Sequence, residues 1–289
     1  MGLFYCIPME NQISNRFLVV KPAVHHTDLL QEYVQVVQLL KSKGVEILEL
    51  EMPANLESKQ YLWSSHWISF HERQGVAVYP MSTLDRQRER TDGVFDLLEE
   101  NGFQIQNVID FTEAETEGFF LEGTGSVVLD RRQHVAYASI SKQCDEELFI
   151  EFCETMEYTP IVFRSEYTEG AEVAHTSCVL SISDDFAVLA SGMIKDKKER
   201  KLVSSQLKKT GRKLMYITEA QVLNHVADIK QIKNADGDSF VVLSKSVSEH
   251  ITQEQRKVLQ DFGALIVAEF SQTEKFGGRS IGAALNEVF

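Results

Sequence analysis

Prolines are scarce, five in 289 residues, and no proline-, serine- or glycine-rich stretch or low-complexity segment interrupts the chain. Nothing marks a linker, so the expectation is a single domain spanning residues 1–289. Long apolar runs are also missing. None reaches the ~20 residues of a bilayer-spanning helix, which argues against membrane insertion. No basic segment followed by an apolar stretch opens the chain, so no secretion signal is expected. There are four cysteines, Cys6, Cys144, Cys153 and Cys178, and their spacing matches neither a zinc site nor a disulfide framework. Reduced thiols in a cytoplasmic compartment are expected. Basic residues are in deficit, 29 against 43 acidic ones, for a formal charge of −14. Such a balance argues against nucleic acid or an anionic membrane as partner. It suits a small cationic ligand, although many plain cytoplasmic proteins are as acidic.

The chain does have apolar residues for a sizeable core, 43% of the total. They recur in a pattern of roughly 50–60 residues. Helical periodicity marks Asp28–Lys43, Asp85–Asn101, Asp145–Glu157, Lys195–Lys209 and Thr252–Phe262. In the first run Leu29, Leu30, Tyr33, Val36, Val37 and Leu40 form one stripe, and Gly44 ends it. Gly102 and Gly263 stop the second and fifth runs in the same way. His25-His26 reads as a helix-entry loop, with Thr27 or Asp28 as N-cap, and Lys195 to Lys201 as a solvated helix face.

A strand-like segment follows each helix: Val45–Leu50, Phe103–Ile109, Thr159–Phe163, Lys213–Ile217 and Ala264–Phe270. Hairpin-like pairs precede four of the helices: Trp67–Phe70 with Val76–Tyr79, Ser126–Leu129 with Val135–Ala138, Ser177–Ile182 with Phe186–Ala190, and Ile229–Ile232 with Phe240–Leu243. The first unit has only Arg16–Lys21 before its helix, and a final strand, Ile281–Phe289, has no helix after it. The economical arrangement is circular. The last strand completes the first unit and removes an open edge, giving five ββαβ modules around a central pocket. An ordinary mixed α/β sandwich is the alternative.

Three segments carry candidate chemistry. Phe120-Leu121-Glu122-Gly123-Thr124-Gly125-Ser126 sets a carboxylate before two glycines; alone it reads as a surface turn, and it lacks the Lys-Ser/Thr ending of a phosphate loop. Val173-Ala174-His175-Thr176-Ser177 places a histidine at a strand start, where a structural role is common. The third is Gly277-Gly278-Arg279-Ser280-Ile281-Gly282-Ala283, leading into the final strand. His66 and His71 with Glu72 lack the spacing of a metal site on a strand face, and neither metal nor cofactor is expected. Trp63 and Trp67 fit a pocket wall or a core equally well.

Together these segments resemble the pentein, or guanidine-modifying, superfamily, which includes arginine deiminases, dimethylargininases and glycine amidinotransferases. The likeness is nearest to bacterial amidinotransferase-like citrulline-utilisation hydrolases. It rests on Trp67-Ile68-Ser69-Phe70-His71, on Tyr79-Pro80-Met81 with Arg86 to Arg90, on Leu121-Glu122-Gly123-Thr124-Gly125-Ser126 running to Leu129-Asp130-Arg131, on Val135-Ala136-Tyr137-Ala138, on His175-Thr176 and on Gly277–Phe289. The resemblance implies a five-module α/β propeller. It also implies hydrolysis or transfer at a guanidino or ureido carbon, through a cysteine thiolate and a histidine acid/base. Glu122 matches the family's carboxylate, His175 its histidine, and Ala283 the position of its nucleophilic cysteine. Ser65, His66, Trp67 and Asp228 match substrate-contacting positions.

Alanine has no nucleophilic atom, so the family's covalent route is closed at residue 283, and an inactive protein is expected. Other positions depart too. Ser64-Ser65-His66 stands where relatives carry Pro-Asn-Asn, Ser177 where they carry Asn, Asp228-Ile229 where they carry Gly-Asn, and Gly282 where they carry arginine. Two origins are open for Ala283: a Cys→Ala change introduced to trap a ligand, or a natural paralogue that has lost the chemistry. The accompanying departures favour the second. Cys178 offers no substitute if residues 175–178 form a strand, since it then points away from His175 and serves as a small buried hydrophobe. The expected partner is a small guanidino or ureido molecule, bound for catalysis or only for regulation. Oligomeric state is not legible.

Overall fold

A computed structural model of the chain describes residues 13–51, 56, 58–71 and 75–289. Cys6 and Glu72 lie outside them. Among the described residues no helix is long and apolar enough to cross a membrane.

Among the described residues, five three-stranded sheets follow one another. The first contains β1 (Arg16–Lys21) and β2 (Glu46–Glu51). The second holds β3 (Ile68–His71), β4 (Gly75–Val78) and β5 (Asn107–Asp110). The third holds β6 (Val127–Asp130), β7 (Val135–Ser139) and β8 (Thr159–Phe163). The fourth holds β9 (Leu180–Ile182), β10 (Phe186–Leu189) and β11 (Lys213–Tyr216). The fifth holds β12 (Lys230–Lys233), β13 (Ser239–Ser244) and β14 (Ala264–Ala268). In each of the last four sheets the middle strand runs antiparallel to the strand before it and parallel to the strand after it. The first sheet repeats this pattern only because β15 (Asn286–Val288) pairs antiparallel with β1, with Leu18 opposite Asn286. The C-terminus thus closes the ring, as the missing strand of the first unit requires.

The middle strands are apolar on both faces because helices cover one side and neighbouring modules the other. Phe17, Leu18, Phe186, Val188 and Leu243 are all fully buried. Each such side chain contributes roughly 1.5–3 kcal/mol by leaving water. The long helices start where sequence chemistry dictates. The Asp145 and Asp196 carboxylates cap Glu146–Thr155 and Lys197–Lys209, and Thr252 with Gln255 forms a reciprocal cap on Gln253–Phe262.

Four local expectations are corrected. The first helix, Thr27–Ser42, takes His26 as N-cap without a side-chain bond. The continuous helix expected over Asp85–Asn101 is two pieces, Leu84–Gln87 and Gly93–Glu100; between and beside them Arg86 turns inward to Glu122 and Glu89, and Arg90 to the Tyr79 carbonyl and Glu115. The final segment is a turn of helix, Ile281–Ala284, before the short β15. Residues 176–178 form a 3₁₀ turn rather than the start of a strand.

Candidate active site

The Glu122 loop is a buried single helical turn, Gly123–Ser126, rather than a surface feature. Its glycines are required by contact. A Cβ on Gly123, whose φ is +45°, would lie 2.3 Å from the Ser65 carbonyl oxygen, and one on Gly125 would lie 2.7 Å from the His66 ring. Thr124 Oγ1 donates to the Ser65 carbonyl at 3.2 Å, which locks this turn to Ser64–His66. Thr176 Oγ1 donates to the Ser126 carbonyl at 2.6 Å and ties in the residue after His175.

These contacts bring Glu122 to His175. The imidazole Nε2 meets Glu122 Oε2 at 2.8 Å. The Arg86 guanidinium donates to the same oxygen at 2.5 Å, while the Ser82 amide and hydroxyl donate to Oε1 at 3.1 and 2.5 Å. A carboxylate accepts about four hydrogen bonds, so Glu122 is internally saturated. Burial alone would raise its pKa, but the His175 hydrogen bond and the Arg86 charge, with the Ser82 bond, outweigh it and hold the carboxyl at about 2. Burial pushes His175 down; hydrogen bonds to Cys178 and Glu122 and the Glu122 charge reverse this and leave it above 6.5.

His66 packs against His175 with ring centroids 4.5 Å apart and the ring planes tilted by 36°. Its Nδ1 accepts from Arg86 at 3.0 Å, so its proton sits on Nε2. Burial, followed by the neighbouring positive groups, holds it neutral. Arg86 also donates to Glu89 through Nε and Nη2, both at 3.3 Å. The ligand atoms of His66, Glu122 and His175 lie within 4.8 Å of one another. The Arg86 guanidinium already bonds two of these residues, and its fixed charge would oppose a divalent cation, so the donor set does not fit a metal.

Ser65, His66, Asp228 and Ala283 share the wall of one cavity of about 130 Å³, with Gly125, Ser177, Arg279 and Gly282. That is well below the ~300–1,000 Å³ of typical ligand pockets. Asp228 is also committed internally. It accepts from Arg279 Nε at 3.1 Å, from Arg279 Nη2, and from the Ser280 amide at 2.7 Å. The two carboxylates expected to face a cationic ligand thus each hold an arginine of the chain itself. Gly282 explains the residue before Ala283: a Cβ there would lie 1.8 Å from the Asp228 carbonyl oxygen. Gly277 admits the Trp63 ring, whose Nε1 donates to the Gly277 carbonyl at 3.0 Å.

Trp67 is not brought to this cavity; it packs in the main hydrophobic cluster, 1% exposed. His71 stands apart from His66, hydrogen-bonded to Ser69. Cys144 precedes its helix rather than belonging to it, bridging Leu121 with its thiol 3.9 Å from the Ser126 carbonyl. Burial raises its pKa and pushes Cys153 up to about 12. Cys178 is the largest correction. It lies in the 3₁₀ turn Thr176–Cys178, its amide donating to the His175 carbonyl at 3.1 Å, rather than on a strand. Sequence reasoning also missed Arg86, Glu89 and Arg279 as partners. The Arg86-x-x-Glu89 spacing was the one available signal, since it suits an ion pair on one turn.

The architecture matches known structures at low identity. Apo ArgZ, an arginine dihydrolase from the ornithine-ammonia cycle in cyanobacteria, superposes with a TM-score of 0.72 at 13% identity over 95% of this chain and 39% of that one. This chain therefore spans about two fifths of the length of full-length ArgZ. The isolated N-terminal domain of ArgZ, in a Cys→Ser form bound to substrate, gives 0.71 at 12% identity over 94% of this chain and 97% of that one. A dimethylarginine dimethylaminohydrolase in adduct with 4-chloro-2-hydroxymethylpyridine gives 0.65 at 12% identity over 95% and 99%. These likenesses establish the pentein fold. No curated protein sequence matches the chain. The sequence model described as N,N dimethylarginine dimethylhydrolase, eukaryotic, matches residues 8–289. With that match over nearly its whole length, the chain belongs to the N,N dimethylarginine dimethylhydrolase family, within the guanidine-modifying hydrolases.

Proposed function

We propose that this chain is a single-domain protein, acting in the cytoplasm, that binds a small guanidino or ureido molecule and performs no chemistry through residue 283. His175 is the acid/base group, and Glu122 holds it in place. The observation that carries this is the 2.8 Å contact between a buried, ionised Glu122 and an imidazole whose pKa is raised. A pair tuned in this way is the arrangement proton transfer needs. Ala283 on the cavity wall offers no bond-forming atom.

The ligand does not meet Glu122 or Asp228 as bare carboxylates, because Arg86 and Arg279 occupy them. Ser65, His66 and Ser177 line the cavity and are among the polar groups open to it, with Ser181, Gln231 and Glu287 on the same wall. A Cys→Ala variant of AgrE forms a binary complex with L-arginine, so the loss of a thiol is compatible with ligand binding in that relative. Titration calorimetry with arginine, N,N-dimethylarginine, citrulline and agmatine tests the proposal. Saturable binding of at least one, weakened by His175→Ala, is expected. No heat with any of them would overturn it.

A further inference from the structure

The wall of the cavity holds an arginine of the chain itself, and the residues around it fix it there. The helix Ser271–Gly277 stops at Gly278, whose φ of +75° is left-handed, and the Gly278 amide donates to the Glu274 carbonyl at 2.8 Å. Beyond this cap the Ser280 hydroxyl donates to Glu274 at 2.6 Å, and the Ser280 amide to Asp228 at 2.7 Å. The chain is thus pinned on both sides of Arg279, which is 7% exposed. Its guanidinium presents the Nε and Nη2 edge to the two oxygens of Asp228 and donates through Nη1 to the Ser177 hydroxyl at 3.0 Å.

We infer that Arg279 is a built-in ligand: its guanidinium occupies the seat on Asp228 and Ser177 that a guanidino head from solution would take, and so sets what the cavity accepts. This rests on the guanidino or ureido ligand proposed above. Three observations carry it. Arg279, Asp228 and Ser177 all border the cavity, together with His66 and Ala283, whereas Arg86 and Glu122 of the other internal pair do not. The contact is a two-point fork of guanidinium on carboxylate, and that geometry is the same for a side chain and for a free ligand. The open volume, about 130 Å³, falls short of usual ligand pockets, as expected where one head group is already seated.

A purely structural ion pair and a built-in ligand differ in what removal of the arginine leaves behind. The first leaves an abandoned carboxylate and a weaker fold. The second also leaves a guanidinium-shaped gap, open to the cavity, that binds a guanidinium from solution. With Asp228 covered by Arg279 roughly nine-tenths of the time or more, a guanidino ligand binds the wild type at least about tenfold more weakly than the uncovered site. A ureido head is uncharged and gains no ion pair when the carboxylate is uncovered. The ratio of guanidino to ureido affinity therefore reports on Arg279.

Two measurements on the full chain test this. In the first, titration calorimetry compares arginine and citrulline on the wild type, Arg279→Ala and Arg279→Ala/Asp228→Asn. Arginine is expected to bind Arg279→Ala at least about tenfold more tightly than the wild type, with a far smaller change for citrulline. The added Asp228→Asn should abolish the gain. Arginine bound by the wild type and no more tightly by the variant, an equal gain for citrulline, or a gain that survives Asp228→Asn would overturn the inference. In the second, thermal melts follow Arg279→Ala with N-ethylguanidine, which matches the deleted part of the side chain. A saturable rise of the midpoint is expected, absent from the wild type and not reproduced by ethylammonium, a point charge without the fork. No rise, or the same rise with ethylammonium, would also overturn it. Where Arg279→Ala does not fold, Arg279→Gln, shorter and uncharged, takes its place with the same outcomes. A rise with N-ethylguanidine but no binding of arginine or citrulline to either protein leaves the seat standing and overturns the guanidino or ureido ligand instead.

Discussion

Replacing Glu122 by Gln removes the charge on which the site is built, and the structure sets the size of the effect. Glu122 is fully buried, and its pKa falls from an ordinary 4.5 to about 2. A difference of that size is worth about 3 kcal/mol of folding free energy at neutral pH. Truncating a buried ion pair typically costs ~3–5 kcal/mol, much of it from the abandoned partner. Here Arg86 keeps Glu89, through two bonds of 3.3 Å. The lower end, about 3 kcal/mol, is therefore expected. The sign with pH follows from the direction of the shift. A carboxylate with a lowered folded pKa stabilises above its unfolded pKa, and this contribution is lost as pH falls from about 4.5 through about 2. Urea denaturation of the wild type and Glu122→Gln at pH 7 and pH 3 reads both effects. The gap between the two proteins should narrow by roughly 2 kcal/mol from pH 7 to pH 3. Equal stability at pH 7, or a gap that does not change with pH, would refute the reasoning.

Two further perturbations probe other parts of the ring. Asp228→Asn strips the buried Arg279 of its paired carboxylate; a loss of about 3–5 kcal/mol in denaturant titration is expected, and a loss under about 1 kcal/mol would show that Arg279 finds another partner. Gly282→Ala forces a methyl group to within 1.8 Å of the Asp228 carbonyl oxygen, a backbone atom that cannot swing away; thermal melts by circular dichroism should show a loss above about 3 kcal/mol or no folded protein.

Much of the fold was legible because its signals are local. β1 and β8 fall on the expected Arg16–Lys21 and Thr159–Phe163, and four hairpins sit within a few residues of their polar turns. The lone first strand and the orphan last one identified each other, as the β15–β1 pairing bears out. Two local rules misled. Alternation assumed a strand through His175, whereas residues 176–178 form a 3₁₀ turn. Helical periodicity carried the second helix across residues 88–92, where tertiary ion pairs break it. The partners of the site lay beyond any local pattern. Arg86 meets Glu122 across 36 residues and Arg279 meets Asp228 across 51, and only the closed ring brings them together.

Glu122 and His175 form one coupled pair, and the titration of the His175 imidazole observes this directly. Nuclear magnetic resonance of ring-labelled histidine, with His175→Asn to assign the signal, gives its pKa in the wild type and in Glu122→Gln. A value above 6.5 in the wild type that falls in Glu122→Gln is predicted. A value at or below 6.5, or one that Glu122→Gln leaves unmoved, would contradict the account.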